Sequence, residues 1–239
     1  MNKKSTNTGW IVAIVAILIV FVGIVGWRLA DKQSTQVDYS KYDINSYIVA
    51  TDDNGNIADH IKGDPNAPVL IYEYADYQCS ACAGMNTRVN KLLEEYDGKV
   101  AIVYRNFLLN YHQNATAAAS AAEAAGLQGY WKEYADKLFA NQSTWAEASG
   151  EERTRMFADL FMNVTNGQGD VNKFIADMNS DAVKAKLAFD AGLSKNLNIP
   201  GTPSFFLDGN LIELTNISSE EDFLNLFRDK INAKLEQQK

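Results

Sequence analysis

The pattern of apolar and polar positions divides the 239-residue chain into a hydrophobic N-terminal run, a polar stretch and a mixed remainder. The run WIVAIVAILIVFVGIVGW at 10–27 is almost wholly apolar and carries no charge. About 20 apolar residues are enough to cross a bilayer as a helix, and tryptophans such as Trp10 and Trp27 favour the membrane interface. The pattern predicts a transmembrane signal anchor over 10–30, preceded by a cytoplasmic tail at 1–9.

A cleavable signal peptide is the alternative interpretation of this run. Its apolar region is usually about 7–15 residues long and ends in a cleavage site of small residues. The run exceeds that length, and the sequence GWRLADKQS after it offers no convincing site. Lys3 and Lys4 precede the run, which favours a cytoplasmic N-terminus. We therefore expect a single-pass protein of the cell membrane with residues 31–239 outside the cytoplasm, where disulfide chemistry is possible.

The polar stretch at 31–62 lacks clear periodicity and contains the turn sequence DDNGN. It predicts a stalk or linker between the membrane and a folded domain at 63–239, with one short strand near 47–50. The turn sequence GDPNAP at 63–68 begins that domain.

A strand, a helix and a second strand are predicted in succession at the start of the domain. The short apolar run VLIYEY at 69–74 is typical of a buried strand. Apolar residues then recur at helical spacing from Ser80 to Tyr96, and KVAIVYRNF at 99–107 predicts another strand. The chain's two cysteines, Cys79 and Cys82, therefore lie where a strand turns into a helix within a β-α-β unit.

The remainder is helical in pattern up to a C-terminal hairpin and helix. Four helices are predicted after the alanine-rich start of an insertion at about 114–196: 130–141, 151–163, 170–179 and 181–196. Residues 203–214 read as two strands joined by a turn at Asp208-Gly209. Ser218 and Glu221 resemble a capping box that opens the last helix. This order is typical of an α/β fold, thioredoxin-like, with an inserted helical subdomain.

Charge and composition narrow the classes of function. The formal net charge is −8 and the pI is near 4.8, and lysines and arginines form no cluster. Phosphate contacts need concentrated positive charge, so nucleic-acid binding is disfavoured.

The spacing of Cys79 and Cys82 suits a redox pair, half of a metal site or a structural disulfide. A structural zinc takes four ligands, and His60 and His112 have no zinc-finger spacing with the cysteines. A disulfide here would close a very small loop and constrain the unfolded chain little. A thiol at a helix N-terminus has a lowered pKa. We therefore predict no metal, with Cys79 as the exposed nucleophile and Cys82 as the resolving thiol.

Two further positions are chemically unusual. Glu73 lies within an otherwise apolar strand, six residues before Cys79. It either faces solvent at a sheet edge or is a buried acid that exchanges a proton with the Cys82 thiol. Pro203 at the start of a core strand is a candidate for a cis bond, which would leave the Thr202 backbone free to pair with an extended substrate.

Together these features resemble the DsbA-like thiol–disulfide oxidoreductases of bacterial cell envelopes, in the thioredoxin superfamily. The resemblance covers about residues 58–235 and rests on three sequences. They are HIKGDPNAPVLIYEYADYQCSAC, YHQNATAAASAAEAA and GTPSFFLDG. It implies a redox-active disulfide between Cys79 and Cys82, a buried acid at Glu73, and substrate binding by Thr202 and a cis Pro203.

The resemblance implies an enzyme without a bound cofactor that introduces disulfides into exported proteins. A quinone-linked membrane oxidase would reoxidise it. Many relatives have Pro or His between the cysteines, whereas this chain has Ser80 and Ala81. Because these two residues tune the redox potential, a disulfide reductase or isomerase with the same site is an alternative. A non-catalytic envelope binding module is another.

Overall fold

The computed structural model describes residues 8–31 and 37–238, which fall into two compact units, Met1–Asp38 and Tyr39–Lys239. The first unit contains one helix, α1 (Thr8–Asp31). Within the described residues, no helix is both long and apolar enough to span a membrane. The anchor over 10–30 stays a prediction, and most of the tail assigned to 1–9 lies outside the described residues.

The second unit contains a five-stranded sheet and eight helices. The strands are β1 (His60–Gly63), β2 (Val69–Ala75), β3 (Val100–Asn106), β4 (Ser204–Leu207) and β5 (Asn210–Leu211). The helices are α2 (Ser80–Glu95), α3 (Ala115–Gly126), α4 (Trp131–Ala140), α5 (Gln142–Trp145), α6 (Gly150–Val164), α7 (Val171–Asp177), α8 (Asp181–Asn196) and α9 (Glu220–Gln237). The helical insertion predicted for about 114–196 is α3 to α8.

The sheet has the strand order β1-β3-β2-β4-β5, so β2 lies at its centre. Strands β2 and β3 are parallel and joined through α2, which confirms the predicted β-α-β unit. Strand β1 pairs antiparallel with β3, and β4 pairs antiparallel with β2. The hairpin turn between β4 and β5 is also confirmed, since Asp208 and Gly209 have positive φ angles of 50° and 75°.

The central strands are apolar on both faces because both faces are covered. On one face, β2 and β3 pack against α2 and α9 through a cluster that includes Ile71, Ile102, Leu92 and Phe227. The insertion has a separate cluster in which the small alanines of α3 pack against large aromatic side chains of its neighbouring helices. A helix rich in alanine allows the neighbouring helices to approach closely, which explains how the insertion buries so many rings.

The stalk predicted at 31–62 is wrong for residues 39–62, which belong to the compact second unit. Ile48 and Ile57 are buried, and Asp59 forms a fully buried ion pair with Arg105 of β3 at 2.8 Å. No strand forms at 47–50; the strand of this segment is β1. Polar side chains such as Asp43 and Asn45 are exposed, whereas the few buried ones, including Asp59, bind groups of the domain. Residues 32–36 of the predicted stalk lie outside the described part of the chain.

The cap of the last helix lies one residue later than predicted. Ser219 is the N-cap of α9, and its side chain accepts a hydrogen bond from the Asp222 N–H. The Asp222 carboxylate accepts in return from the Ser219 N–H at 2.8 Å. The capping box is therefore formed by Ser219 and Asp222, since Ser219 is the residue with extended backbone angles at the helix start.

Candidate active site

The two cysteines lie at the first turn of α2, as predicted. Cys79 is the N-cap residue, and its N–H donates to the Asp76 carbonyl at 3.0 Å. Cys82 lies within the first helical turn and is fully buried. Cys79, which was predicted to be exposed, is also buried and keeps 9% exposure, because the Thr202 loop lies against it. Both are free thiols. The strand β2 ends at Ala75, so the connecting turn carries the pair to the carboxyl edge of the parallel strands.

The surroundings of the two thiols shift their pKa values in opposite directions. A hydrogen bond from the Cys82 thiol lowers the pKa of Cys79 to about 5, against the opposing effect of burial. Backbone N–H groups of Cys82 and Ala81 lower it further. The same thiol–thiol hydrogen bond and burial raise the pKa of Cys82. Near neutral pH, Cys79 is therefore the thiolate and Cys82 the protonated thiol, and their roles as nucleophile and resolving thiol stay predictions.

The loop before β4 faces the nucleophile. The peptide bond between Thr202 and Pro203 is cis, as predicted. The Thr202 carbonyl oxygen lies 3.9 Å from Cys79 Sγ, although the two residues are 123 positions apart in the chain. The pairing of β4 with β2 begins at Ser204, so Thr202 lies outside the sheet, beside the thiol.

Glu73 lies on the central strand, in register with Tyr104 of β3 and Phe205 of β4. It is 3% exposed, which excludes the alternative of a solvent-facing residue at a sheet edge. Burial raises the pKa of Glu73 to about 7, although the nearby Lys62 ammonium opposes the rise. The carboxyl can therefore hold or release a proton near neutral pH, which is the property that an acid–base group needs.

A buried lysine next to Glu73 was not predicted from the sequence. Lys62 of β1 is 1% exposed and donates to Asn86 of α2 at 2.6 Å. It also pairs with Asp136 of the insertion helix α4 at 2.5 Å. This ion pair supplies the charges nearest to the Glu73 carboxyl. It also links the insertion to the sheet behind the cysteines.

Asp76 and His112 form a second contact that the sequence did not reveal. The Asp76 carboxylate is buried and accepts hydrogen bonds from the N–H groups of Gln78 and Leu109. His112 Nδ1 lies 2.9 Å from its second oxygen. His112, to which the sequence analysis assigned no chemistry, thus joins the loop after β3 to the turn that carries Cys79. An aspartate three residues before Cys79 is typical of a turn, and it was the only feature of the sequence that pointed to this contact.

A family model described as thioredoxin matches residues 55–226, most of the chain. The chain belongs to the thioredoxin family. The match begins within the segment that was predicted as a stalk, in agreement with the packing of residues 39–62 on the domain. It also includes every predicted site residue of this thioredoxin-family chain.

Solved structures show the same fold at low sequence identity. BdbD from Bacillus subtilis has a TM-score of 0.61 and 19% identity, covering 80% of this chain and 100% of BdbD. A thioredoxin-like oxidoreductase from Silicibacter pomeroyi has a TM-score of 0.57 and 24% identity, covering 75% of this chain and 96% of its own. The α-DsbA1 protein of Wolbachia pipientis has a TM-score of 0.58 and 23% identity, covering 75% and 92%. The fold is that of DsbA-type proteins.

Among curated proteins, this thioredoxin-family chain is similar to part of larger proteins. The Na(+)/H(+) antiporter NhaA 3 of Salinispora tropica is 32% identical over 152 residues, which are 63% of this chain and 22% of the antiporter. The NhaA of Herminiimonas arsenicoxydans is 27% identical over 195 residues, 82% of this chain and 29% of that protein. The match spans less than a third of the curated relatives' length.

Proposed function

We propose that the protein is a thiol–disulfide oxidoreductase that introduces disulfides into exported proteins. The observation that carries the proposal is the asymmetry of the cysteine pair. Cys79 has a pKa lowered to about 5 and faces the Thr202 carbonyl, whereas Cys82 is fully buried with a raised pKa. A thiolate that keeps some exposure beside a thiol that has none is the arrangement that disulfide exchange requires.

The first step transfers the disulfide to the client. With the pair oxidised, a client thiolate attacks Cys79 Sγ, a bond forms between these sulfurs, and the bond to Cys82 Sγ breaks. Cys82 leaves as a thiolate and takes a proton, which Glu73, the buried acid of the strand before the cysteines, supplies. Thr202 and Pro203 flank the mixed disulfide, where the Thr202 backbone pairs with the extended client segment.

The second step releases the product. A second client thiolate attacks the client sulfur of the mixed disulfide, and Cys79 leaves as a thiolate. The client is oxidised by two electrons, and the pair is reduced to one thiolate and one thiol. No cofactor takes part in either step. A membrane protein that passes electrons to quinone then reoxidises the pair.

The lowered pKa of Cys79 favours this direction of electron flow. A thiolate with a pKa of about 5 stabilises the reduced pair about 50-fold more at pH 7 than one with a pKa of about 7, as in thioredoxin. That factor corresponds to about 50 mV for a two-electron couple. We expect a reduction potential about that far above the roughly −270 mV of thioredoxin. A value at or below −270 mV would favour the reductase or isomerase alternative.

The activity is tested with a reduced model protein that contains several cysteines. We expect the oxidised wild type to accelerate disulfide formation and Cys79→Ser to give no acceleration. Glu94→Gln, at an exposed position near the other end of α2, is the control, since it keeps both thiols and the two residues between them. Equal rates for the wild type and Cys79→Ser would end the proposal. Reoxidation is tested by adding bacterial membranes to the reduced protein. Membranes that contain quinone should restore the disulfide, and membranes depleted of quinone should not.

We further propose that residues 10–30 anchor the protein in the cell membrane with the catalytic domain outside the cytoplasm. The uncharged apolar run at 10–27, flanked by Trp10 and Trp27, supports this location. We expect the full chain to remain in membranes during alkaline extraction and a form lacking residues 2–31 to be released. Release of both forms would contradict the anchor while leaving the enzymatic proposal untouched.

A further inference from the structure

The buried Lys62 lies on the same face of the sheet as Glu73. Lys62 of β1 is in register with Ile102 of β3, and Ile102 is in register with Ile71 of β2. Paired residues of neighbouring strands point to the same face, as do residues two apart on one strand. Glu73 follows Ile71 by two residues, so Lys62 and Glu73 share the face that α2 covers.

Helix α2 brings Cys82, the thiol that leaves in the proposed first step, to this face. Cys82 and Asn86 are both buried and lie four residues apart, so they lie on the same side of the helix. Lys62 Nζ donates to Asn86 Oδ1 at 2.6 Å. The Lys62 ammonium therefore contacts α2 one helical turn after Cys82.

Asp136 of the insertion helix α4 is the anion that binds this ammonium. Its Oδ1 accepts hydrogen bonds from Lys62 Nζ at 2.5 Å and from Asn90 Nδ2 of α2 at 3.2 Å. Its Oδ2 lies 3.4 Å from Nζ of Lys132, which is half exposed. The Asp136 side chain keeps 23% exposure and that of Lys62 keeps 1%. The carboxylate therefore lies between solvent and a buried ammonium.

Titratable groups from several elements surround Glu73. They are Lys62 of β1, Tyr104 of β3, Tyr77 of the turn before α2, Cys82 of α2 and Asp136 of α4. Strand β4 contributes the uncharged Phe205. The two tyrosines, whose pKa burial raises, and the protonated Cys82 carry no charge near neutral pH. The charge of Lys62 favours the ionised form of Glu73, and the charge of Asp136 favours the protonated form.

We propose that Asp136 of the insertion is a positioning residue that, acting through Lys62, keeps Glu73 in the protonated form that supplies the proton to Cys82. The Asp136 carboxylate neutralises the ammonium that would otherwise draw the proton from Glu73. The helical insertion thereby sets the pH range in which the cysteine pair exchanges disulfides. The inference rests on the proposed function, since it concerns the proton that Glu73 supplies in the first step.

The titration of Glu73 tests this role without any client. The carboxyl carbon signal of Glu73 is followed by NMR against pH in the oxidised protein with isotopically labelled glutamate, and its loss in Glu73→Gln assigns it. We expect Asp136→Asn to lower the pKa of Glu73 by about one pH unit and Lys62→Met to raise it by about one pH unit. Asp136→Glu, which keeps the charge, should titrate closer to the wild type than Asp136→Asn.

Two variants separate this effect from the general charge of the protein. Glu133→Gln and Lys137→Met make the same changes of charge at exposed positions of α4 and should leave the titration of Glu73 unchanged. Shifts in the same direction for Asp136→Asn and Lys62→Met would overturn the role of Asp136. Shifts no larger than those of the two controls would overturn it as well. Asp136 is partly exposed, so Asp136→Asn tests the inference even if Lys62→Met does not fold.

The rate of mixed disulfide formation shows whether this proton matters for exchange. A pKa lowered by one pH unit from about 7 reduces the protonated fraction of Glu73 at pH 7 from about one half to about one tenth. With a single-cysteine peptide, Asp136→Asn should therefore react about fivefold more slowly than the wild type at pH 7. In a Glu73→Gln background, Asp136→Asn should have no further effect. Slowing that persists in this background would show that Asp136 does not act through Glu73.

The two measurements distinguish failure of this inference from failure of the proposed function. Normal disulfide exchange with a Glu73 titration that does not respond to Asp136→Asn overturns only the inference. Opposite shifts of the titration without any disulfide exchange overturn the proposed function and support the control of the Glu73 proton by Asp136.

Discussion

Burial of Glu73 couples the protonation of one side chain to the stability of the protein. Its pKa is about 7 in the folded protein and 4.5 as the ordinary value. Between these pH values the unfolded chain has lost a proton that the folded chain keeps, so the free energy of unfolding falls as pH rises. We expect Glu73→Gln to be more stable than the wild type above pH 7, by about 3 kcal/mol at most.

The two proteins should have equal stability below about pH 4.5, where the carboxyl is protonated in both states. Urea unfolding of the reduced proteins at several pH values measures the difference. Glu94→Gln, at an exposed position of α2, is the matched control and should show no such pH dependence. A Glu73→Gln curve parallel to the wild type would contradict the raised pKa.

The same substitution tests the role of Glu73 in proton transfer. Because glutamine cannot supply a proton to the departing Cys82 thiolate, we expect formation of the mixed disulfide to slow by about 100-fold at pH 7. Stopped-flow measurement of the first step with a single-cysteine peptide reports this rate. An unchanged rate in a properly folded variant would remove Glu73 from the mechanism.

Asp76 stabilises the turn before the cysteines through three donors. Asp76→Asn keeps the oxygen that accepts from Gln78 but places an amide N–H₂ against the Leu109 N–H and His112. Leaving such a buried donor unpaired costs about 1–3 kcal/mol. Because the two side chains share this contact, we expect the losses from Asp76→Asn and His112→Ala to be non-additive in urea unfolding. Strictly additive losses would show that the contact contributes nothing.

At the residue scale, the sequence was informative where one residue is unusual for its local setting. Cys79, Cys82, Glu73 and Pro203 each stand out from their neighbours, and the structure places all four at one end of the sheet. Lys62 could not be recognised, because the residue that explains it, Asp136, is 74 positions away. Its meaning depends on a tertiary contact that no local pattern contains.

At the scale of elements, the segment at 39–62 shows how a polar sequence can be part of a core. Gly55 ends a short 3-10 turn with a φ of +66°, and a Cβ there would lie 2.2 Å from the Ala182 carbonyl oxygen of α8. We expect Gly55→Ala to destabilise the domain by about 3 kcal/mol or more, from backbone strain and this clash. Thermal or urea unfolding measures the change.

Gly98 supplies the matched control, because its φ is +69° and nothing lies within 4 Å of a Cβ there. Gly98→Ala should cost only the backbone strain, about 1–2 kcal/mol. Equal effects at the two glycines would show that the segment does not pack on α8 in solution. The boundaries of regular helices and strands were predicted well, since periodicity is local. This segment was not, because Ile48 and Ile57 are isolated apolar residues without a period.

At the scale of the whole molecule, a buried ionic network joins the sheet, the insertion and the segment before β1. Asp59 pairs with Arg105 and lies 3.4 Å from Lys186, which pairs in turn with Asp190 of α8. Asn106 then links Asp190 to Glu123 of α3. Burial alone would raise the pKa of Glu123. His60, Lys186 and Asn106 outweigh this effect and hold the pKa below its usual value. The network requires every partner, since buried charges are costly alone.

Removing one cation from this network should destabilise the protein strongly. We expect Lys186→Met to lower the free energy of unfolding by about 3–5 kcal/mol, because the buried Asp190 carboxylate then loses its cation, while Asp59 keeps Arg105. Lys184→Met changes an exposed lysine of the same helix and should alter stability by less than about 0.5 kcal/mol. Similar effects in the two variants would show that the network does not stabilise the fold.

Because Cys79 lies at the start of α2, the backbone amides of that helix end should respond to the redox state of the cysteine pair. The N–H groups of Ala81 and Cys82 lower the pKa of Cys79 and so stabilise its thiolate in the reduced protein. In the disulfide this acceptor is lost, and the helix end has one fewer anion to order it. We therefore expect the amide hydrogens of Ala81 and Cys82 to exchange with deuterium faster in the oxidised protein than in the reduced protein. The exchange rate of these two amides would then distinguish the disulfide form from the dithiol form.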